Sequence, residues 1–244
     1  MNLANKFRIT GTWESDQVVN ITEPAKSIPQ DMRDQANALF KRFSAGRKEA
    51  YDGRLVGLPR LEISGNQLIL TAVAVRFSEY LATRDPAHTA SWPRANPVGT
   101  TSILITQDNH IVVSVRSLKA EQNPGGLYFV GGFSEYDAQD NFDIFVNARR
   151  EIEEETGLNL NEVLTEITLH AIDYDDIYPH PEAFFIARLN LSAWELQAHL
   201  QYHHHEEAEK FELISKETFL SLNESDRLLT WSFLTGRKLI AASI

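Results

Sequence analysis

The sequence predicts an α/β protein preceded by a small α+β extension, and three observations carry that prediction. First, four apolar runs with strand character, Gly99 to Ile105, His110 to Val115, Thr165 to Ile172 and Ala183 to Leu189, surround one amphipathic stretch from Asp143 to Thr156. Second, Leu61 to Ala74 alternates about Gly65-Asn66 in the manner of a hairpin, behind a segment where Ala36, Leu39, Phe40 and Phe43 recur at helical spacing. Third, Pro86, Pro93 and Pro97 interrupt the chain between these blocks. The division is placed there, with residues 1–94 as the extension and 95–244 as the main domain.

Within the extension, little regularity is expected before residue 27 beyond a short strand at Val18-Val19-Asn20-Ile21. Ser27-Ile28-Pro29 opens a helix, since proline suits a first helical turn. A loop holding Gly46, Gly53 and Gly57 follows and ends at Pro59. In the main domain, Gln107-Asp108-Asn109 joins the first two runs as a hairpin, and Leu127 to Val130 is a short strand leading to Gly131-Gly132. The helix from Asp143 stops at Gly157, a left-handed cap. A loop from Asp173 to Pro181 separates the next two strands. Ser192-Ala193-Trp194-Glu195 has the capping-box pattern of a helix reaching Gln201. Tyr202 to Glu207 reads as loop, Phe211 to Ile214 as a last strand, and Asp226 to Ile240 as a largely buried helix.

The chain has 244 residues, 43% hydrophobic and 23% charged, the mixture of a globular protein. A formal net charge of −11 argues against a nucleic-acid backbone or an anionic membrane surface as main partner. A small anionic nucleotide is compatible with it, because a metal ion can supply the local positive charge. There is no cysteine, which removes disulfides, thiolate catalysis and zinc–sulfur sites. Met1 to Lys6 has no hydrophobic signal region, and no apolar run reaches the ~18 residues needed to span a bilayer. A cytoplasmic protein is expected.

The helix before Gly157 carries the chemistry. On a wheel of about 100° per residue, Ile144, Phe145, Ala148 and Ile152 share an apolar face. Glu151, Glu154 and Glu155 gather on the adjoining face, while Glu153 turns to solvent. Like charges at this spacing repel by roughly 0.2–0.5 kcal/mol per pair. Acids at a helix C-terminus also oppose its dipole by about 0.3–1 kcal/mol each. A divalent cation would offset the cost, and Mg²⁺ takes one or two carboxylates together with substrate phosphate oxygens. Arg150, four residues before Glu154, can hold a carboxylate in position. Gly131-Gly132 permits close backbone approach to phosphate.

Arg150-Glu151-Ile152-Glu153-Glu154-Glu155-Thr156-Gly157-Leu158 matches the second half of the Nudix box, R-E-U-x-E-E-x-G-U with U aliphatic, without a mismatch. Gly132 resembles the first glycine of the box. The resemblance covers roughly residues 97–215. It implies an α/β/α sandwich with a mixed sheet, and a pyrophosphohydrolase that uses Mg²⁺, with Mn²⁺ as a substitute, on a nucleoside diphosphate derivative. Glu151, Glu154 and Glu155 are then the implied metal ligands and Arg150 the residue that orients them. A further carboxylate, in many Nudix enzymes on a late loop, completes the shell or takes the proton from water; Glu206 and Glu207 are the candidates, with Glu207 preferred. A homodimer is also in keeping with the family.

The chain departs from the pattern in one place. Gly132 stands 18 positions before Arg150, four more than in G-x5-E-x7-R-E-U-x-E-E-x-G-U, and Phe142 occupies the position of the first glutamate. Glu135 and Asp140 are the alternatives for its role. Long box loops resemble the Nudix enzymes that cleave UDP-glucose and UDP-galactose, whose extensions also end in a stretch like Phe77-Ser78-Glu79-Tyr80-Leu81-Ala82-Thr83. UDP-sugar hydrolysis to UMP and a sugar 1-phosphate is therefore the expected activity. An ADP-ribose, ADP-sugar or coenzyme A pyrophosphatase is the alternative, Arg116-Ser117 fitting the last of these, and a nucleotide-sensing module without turnover is the alternative from another class. Arg116 and Tyr174 are the expected substrate contacts beside the glycine pair, and His203-His204-His205 reads as an exposed loop because adjacent residues cannot converge on one ion.

Overall fold

The computed structural model describes residues 8–47, 50–89, 91–118, 120, 123–175, 177–202, 208–223, 225 and 227–242. The extension runs β1 (Ile9–Trp13), a turn of 3-10 helix (Ser15–Gln17), β2 (Val18–Thr22), α1 (Gln30–Ser44), β3 (Arg54–Ser64), β4 (Gln67–Arg76) and α2 (Phe77–Arg84). The remainder runs β5 (Gly99–Ile105), β6 (His110–Arg116), β7 (Leu127–Tyr128), α3 (Ile144–Thr156), α4 (Leu160–Val163), β8 (Leu164–Asp175) and β9 (His180–Leu189). It closes with α5 (Ala193–Leu200), β10 (Ala208–Ser215), α6 (Lys216–Ser221) and α7 (Trp231–Ala242).

Seven strands form the main sheet in the order β1-β8-β9-β5-β6-β10, with β7 on β6. Within this sheet, β5 and β9 are parallel while the other strand pairs among the described residues are antiparallel, so the sheet is mixed. Every residue of β5 is buried, because helices cover both faces. The period-two alternation divides its side chains between them. Leu104 packs with Ile152 of α3 on one side, and Ile103 and Ile105 pack with Phe233 and Ile240 of α7 on the other. That is the expected α/β/α sandwich.

The extension is joined to this sheet in two ways. Its first strand, β1, pairs with the edge of β8. Its small sheet, ordered β2-β4-β3, sends Val56, Leu58, Leu68 and Leu70 into the same apolar cluster as Phe142, Phe145 and Phe185.

Several elements differ from the sequence reading. The last part of the loop expected to end at Pro59, from Arg54 onward, is instead the first half of β3, while Gly46 and Gly53 lie outside any strand or helix. The register of β3 slips between Gly57 and Arg60, and a bulge is where a strand tolerates proline. The other side of β3 pairs with the residues around Pro97, the last proline of the break, through Leu58 N–H to Asn96 O and Val98 N–H to Val56 O. The expected hairpin of β5 and β6 splays at once: their ladder holds Ile105 with Ile111, and β5 takes β9 as its long partner. β8 and β9 consume most of the predicted 173–181 loop, and the predicted 127–130 strand shortens to β7. The last helix starts at Trp231, five residues late, and Leu228 is exposed. The short helices α4 and α6 have too few turns to show a period.

Candidate active site

α3 is placed by both of its caps. The Asp143 carboxylate accepts from the N–H groups of Phe145 and Val146, and Gly157 ends the helix at φ 67°. Ile144, Phe145, Ala148 and Ile152 are buried as the wheel requires, which fixes the rotation of the acidic face. Glu153 is exposed, and its Oε1 caps the next turn by accepting from Leu160 N–H at 3.2 Å.

The acidic face meets the segment delivered by β7. Thr100 N–H donates to Gly132 O at 2.8 Å and Ser102 N–H to Val130 O at 2.7 Å, so residues 130–132 lie against β5. Gly131 has φ 153°, and its N–H donates to Glu155 Oε1 at 2.7 Å. Glu155 itself is 6% exposed. A Cβ at Gly132 would lie 2.7 Å from Glu151 Oε2, so the carboxylate occupies the space that the missing side chain leaves.

Arg150 ties these groups together. Nη2 donates to Glu151 Oε1 at 2.7 Å and to Asn147 Oδ1 at 3.3 Å, and Nη1 donates to Glu154 Oε2 at 3.0 Å. Asn147 in turn accepts from Glu135 N–H at 2.8 Å. Glu135 accepts from the Tyr51 hydroxyl at 2.7 Å; that hydrogen bond, then burial and the Glu135 charge, push the phenol up to about 12. Arg150 and Glu151 also act on this phenol electrostatically. Asp140, the other alternative for the missing glutamate, pairs with Arg54 at the surface. Phe142, at the position itself, is 5% exposed in the core.

A second polar cluster sits one strand away. Glu182, 1% exposed on β9, accepts from Tyr128 Oη at 2.7 Å, from Ser232 Oγ at 3.3 Å and from Thr101 Oγ1. His180 Nε2 meets its other oxygen at 3.1 Å while Nδ1 faces Tyr178 O. Burial pushes the Glu182 carboxyl up, but the bonds from His180, Thr101 and Tyr128 outweigh it and hold the group below the ordinary range. A carboxyl lowered in the folded state stabilises it above the unfolded value and loses that contribution as pH falls through the folded one. Unfolding midpoints should therefore drop below about pH 4.3, the ordinary glutamate value, and Glu182→Gln should flatten that part of the profile. A slope equal to that of the parent chain would refute the assignment. Sequence reasoning missed this cluster, since its members come from β5, β7, β9 and α7.

Arg116 lies with its guanidinium carbon 5.1 Å from the centre of the Tyr128 ring, beside this cluster. The Tyr174 hydroxyl bonds Asn96 Oδ1 at 3.1 Å. Glu206, Glu207 and His203 to His205 lie outside the described residues; the chain resumes at Ala208, opposite Arg116 in the ladder. Among the described residues, no three His, Asp or Glu side chains form a ready-made metal cage, and no helix is long and apolar enough to cross a membrane.

The model of the NUDIX domain matches residues 96–232. The chain belongs to the Nudix family. It is a pyrophosphohydrolase of that family, whose members generally use a divalent metal on nucleoside diphosphate derivatives. Among solved structures, a Deinococcus radiodurans protein aligns at 15% identity and TM-score 0.44, over 63% of this chain and 86% of its own. The NUDIX domain of Shewanella oneidensis NrtR, crystallised with ADP ribose, aligns at 15% identity and TM-score 0.43, over 69% and 99%. A NUDIX hydrolase from Nitrosomonas europaea aligns at 15% and 0.40, over 60% and 89%. No curated protein matches. The matched span begins beside the proline-rich break and contains the whole Arg150 hub.

Proposed function

We propose that this Nudix enzyme hydrolyses a UDP-sugar such as UDP-glucose or UDP-galactose to UMP and a sugar 1-phosphate, in the cytoplasm. The observation that carries the substrate is the position of α2, the stretch that resembles the extension of UDP-sugar-cleaving enzymes. Its Tyr80 ring packs at 5.2 Å on Phe133, the residue after Gly132, at the start of the lengthened loop. An extension that braces the phosphate turn can shape what lies beyond the diphosphate. On this reading residues 1–94 are the specificity-bearing part and 95–244 the catalytic domain.

Glu151, Glu154 and Glu155 would hold Mg²⁺ or Mn²⁺. The donor set is suitable: all are carboxylate oxygens on one helix face, and Mg²⁺ keeps several waters and substrate oxygens instead of demanding an all-protein cage. When bound, the ion supplies charge for the diphosphate and lowers the pKa of a coordinated water. The chain's own groups then have separate tasks. Gly131 and Gly132 let the backbone approach the diphosphate, and Arg150 fixes the carboxylates that it bonds. Glu207 takes a proton from the attacking water as its oxygen bonds to phosphorus and the bridging P–O bond breaks. Arg116 and Tyr174 contact the nucleotide. Glu135 takes the role of the displaced box glutamate, because it shares Asn147 with Arg150 while Asp140 is turned to Arg54.

The test is a panel of UDP-sugars, ADP-ribose, ADP-sugars, coenzyme A and dinucleotides with Mg²⁺, with products identified. UMP and sugar 1-phosphate formed at the highest kcat/KM support the proposal. A higher kcat/KM on ADP-ribose or coenzyme A overturns the substrate, and no release from any compound favours the sensing module.

A further inference from the structure

Between α1, β4, α2 and the proline-rich segment, and reaching the matched span only at Asn96, lies a cavity of about 560 Å³. That is within the range of sites that take a small ligand. Its floor is apolar, with Met32, Val73 and Val75 all under a tenth exposed. One wall is Trp92, whose indole is held by an Nε1–H bond to Asp31 Oδ2 at 3.1 Å. His88 stands edge-on to that indole, with ring centres 5.8 Å apart.

Two features of the lining ask for a particular partner. His88 Nδ1 is buried and has no hydrogen-bond partner. The ring donates to the Ala82 carbonyl and burial favours its neutral form, which leaves Nδ1 a lone pair that an N–H or O–H donor would satisfy. Burial also pushes the neighbouring Glu79 carboxyl up. Lys26 and Arg94 also line the cavity and are exposed, two cations on a chain with a net charge of −11. A flat ring bearing N–H groups, tethered to an anion, satisfies all of these together: stacking for Trp92, a donor for His88, a charge for Lys26 and Arg94.

We propose that this cavity is a second ligand site that takes a nucleoside monophosphate, its base against Trp92 and His88 and its phosphate at Lys26 and Arg94. The site is separate from the hub around Arg150 and does not depend on which diphosphate is hydrolysed.

The full-length protein would be titrated with AMP, GMP, CMP and UMP in EDTA, following tryptophan fluorescence and heat. At least one should bind saturably, with Trp92→Phe reducing the fluorescence change. Arg94→Glu and His88→Ala should each weaken binding about tenfold or more, one lost charged or buried contact at roughly 1.4 kcal/mol per decade. Glu154→Gln should leave it unchanged, and Arg94→Glu should retain the parent's kcat and melting temperature. Absence of saturable binding by all four nucleotides would overturn the proposal. So would binding that Glu154→Gln abolishes and Arg94→Glu spares. Equal affinity for inorganic phosphate alone, or for the unphosphorylated nucleosides, would overturn the nucleotide assignment.

Discussion

Glu154→Gln should lower turnover by at least about a thousandfold, some 4 kcal/mol at the usual 1.4 kcal/mol per decade of rate, and leave the fold unchanged. Glu154 is the most exposed of the three proposed ligands, with 55% of its side chain accessible, and its bond to Arg150 is a surface pair. Such pairs contribute about 1 kcal/mol or less to stability, so the melting temperature should hardly move. Glu153→Gln is the matched control: one residue away on the helix, it turns to solvent and can still accept from Leu160 N–H. In the same series, Glu135→Gln should cost about a hundredfold, the low end of what a positioned acid or base contributes, and Asp140→Asn almost nothing. Steady-state rates on the best substrate of the panel decide each case. Full activity in Glu154→Gln would remove it from the ligand set, and a larger loss in Asp140→Asn than in Glu135→Gln would reverse the assignment of the displaced glutamate.

Gly131→Ala is expected to be the most damaging single methyl group in the molecule. At φ 153° the backbone is in a region that only glycine adopts freely. An added Cβ would stand 1.8 Å from the carbonyl oxygen of Thr100, in the central strand, where neither partner is a side chain that can swing away. The backbone must separate, and with it the N–H that Glu155 accepts. A loss of about 4 kcal/mol or more, at the upper end for point substitutions, should lower the melting temperature by roughly 10 °C in a chain of this size. Thermal melts in metal-free buffer separate this from any effect on catalysis. A melting temperature within a degree or two of the parent would mean that the turn is not built as described.

How much of this was legible in the sequence depended on how local the cause was. The caps at Gly157 and Ser192 are decided within four residues and are readable in the sequence; at Asp143 the sequence places the start of the helix and the structure adds that its carboxylate is the cap. The split of the α3 acids into three on one face and Glu153 away from it followed from helical period alone. Pro59 misled because local rules cannot see a bulge that needs Asn96 and Pro97 on the far side of the strand. β1 was missed because only its ends, Ile9 and Trp13, are buried, and its partners Leu169 to Ile172 lie on a strand far away in the sequence. The Glu182 cluster was invisible for the same reason: no two of its elements are adjacent in sequence. The preference proposed for Glu135 over Asp140 rests on Asn147, a residue no motif singles out.

The docking of β1 on β8 also bears on how the protein can be dissected. A fragment cut to residues 95–244, which keeps α7 but lacks β1, would bare the backbone donors and acceptors of β8 along Leu169 to Ile172 and strip the cover from Phe142 and Phe145. An unpaired strand beside uncovered apolar surface recruits other chains. Such a fragment would self-associate through that edge, and its insolubility would be mistaken for a failure of the catalytic half to fold.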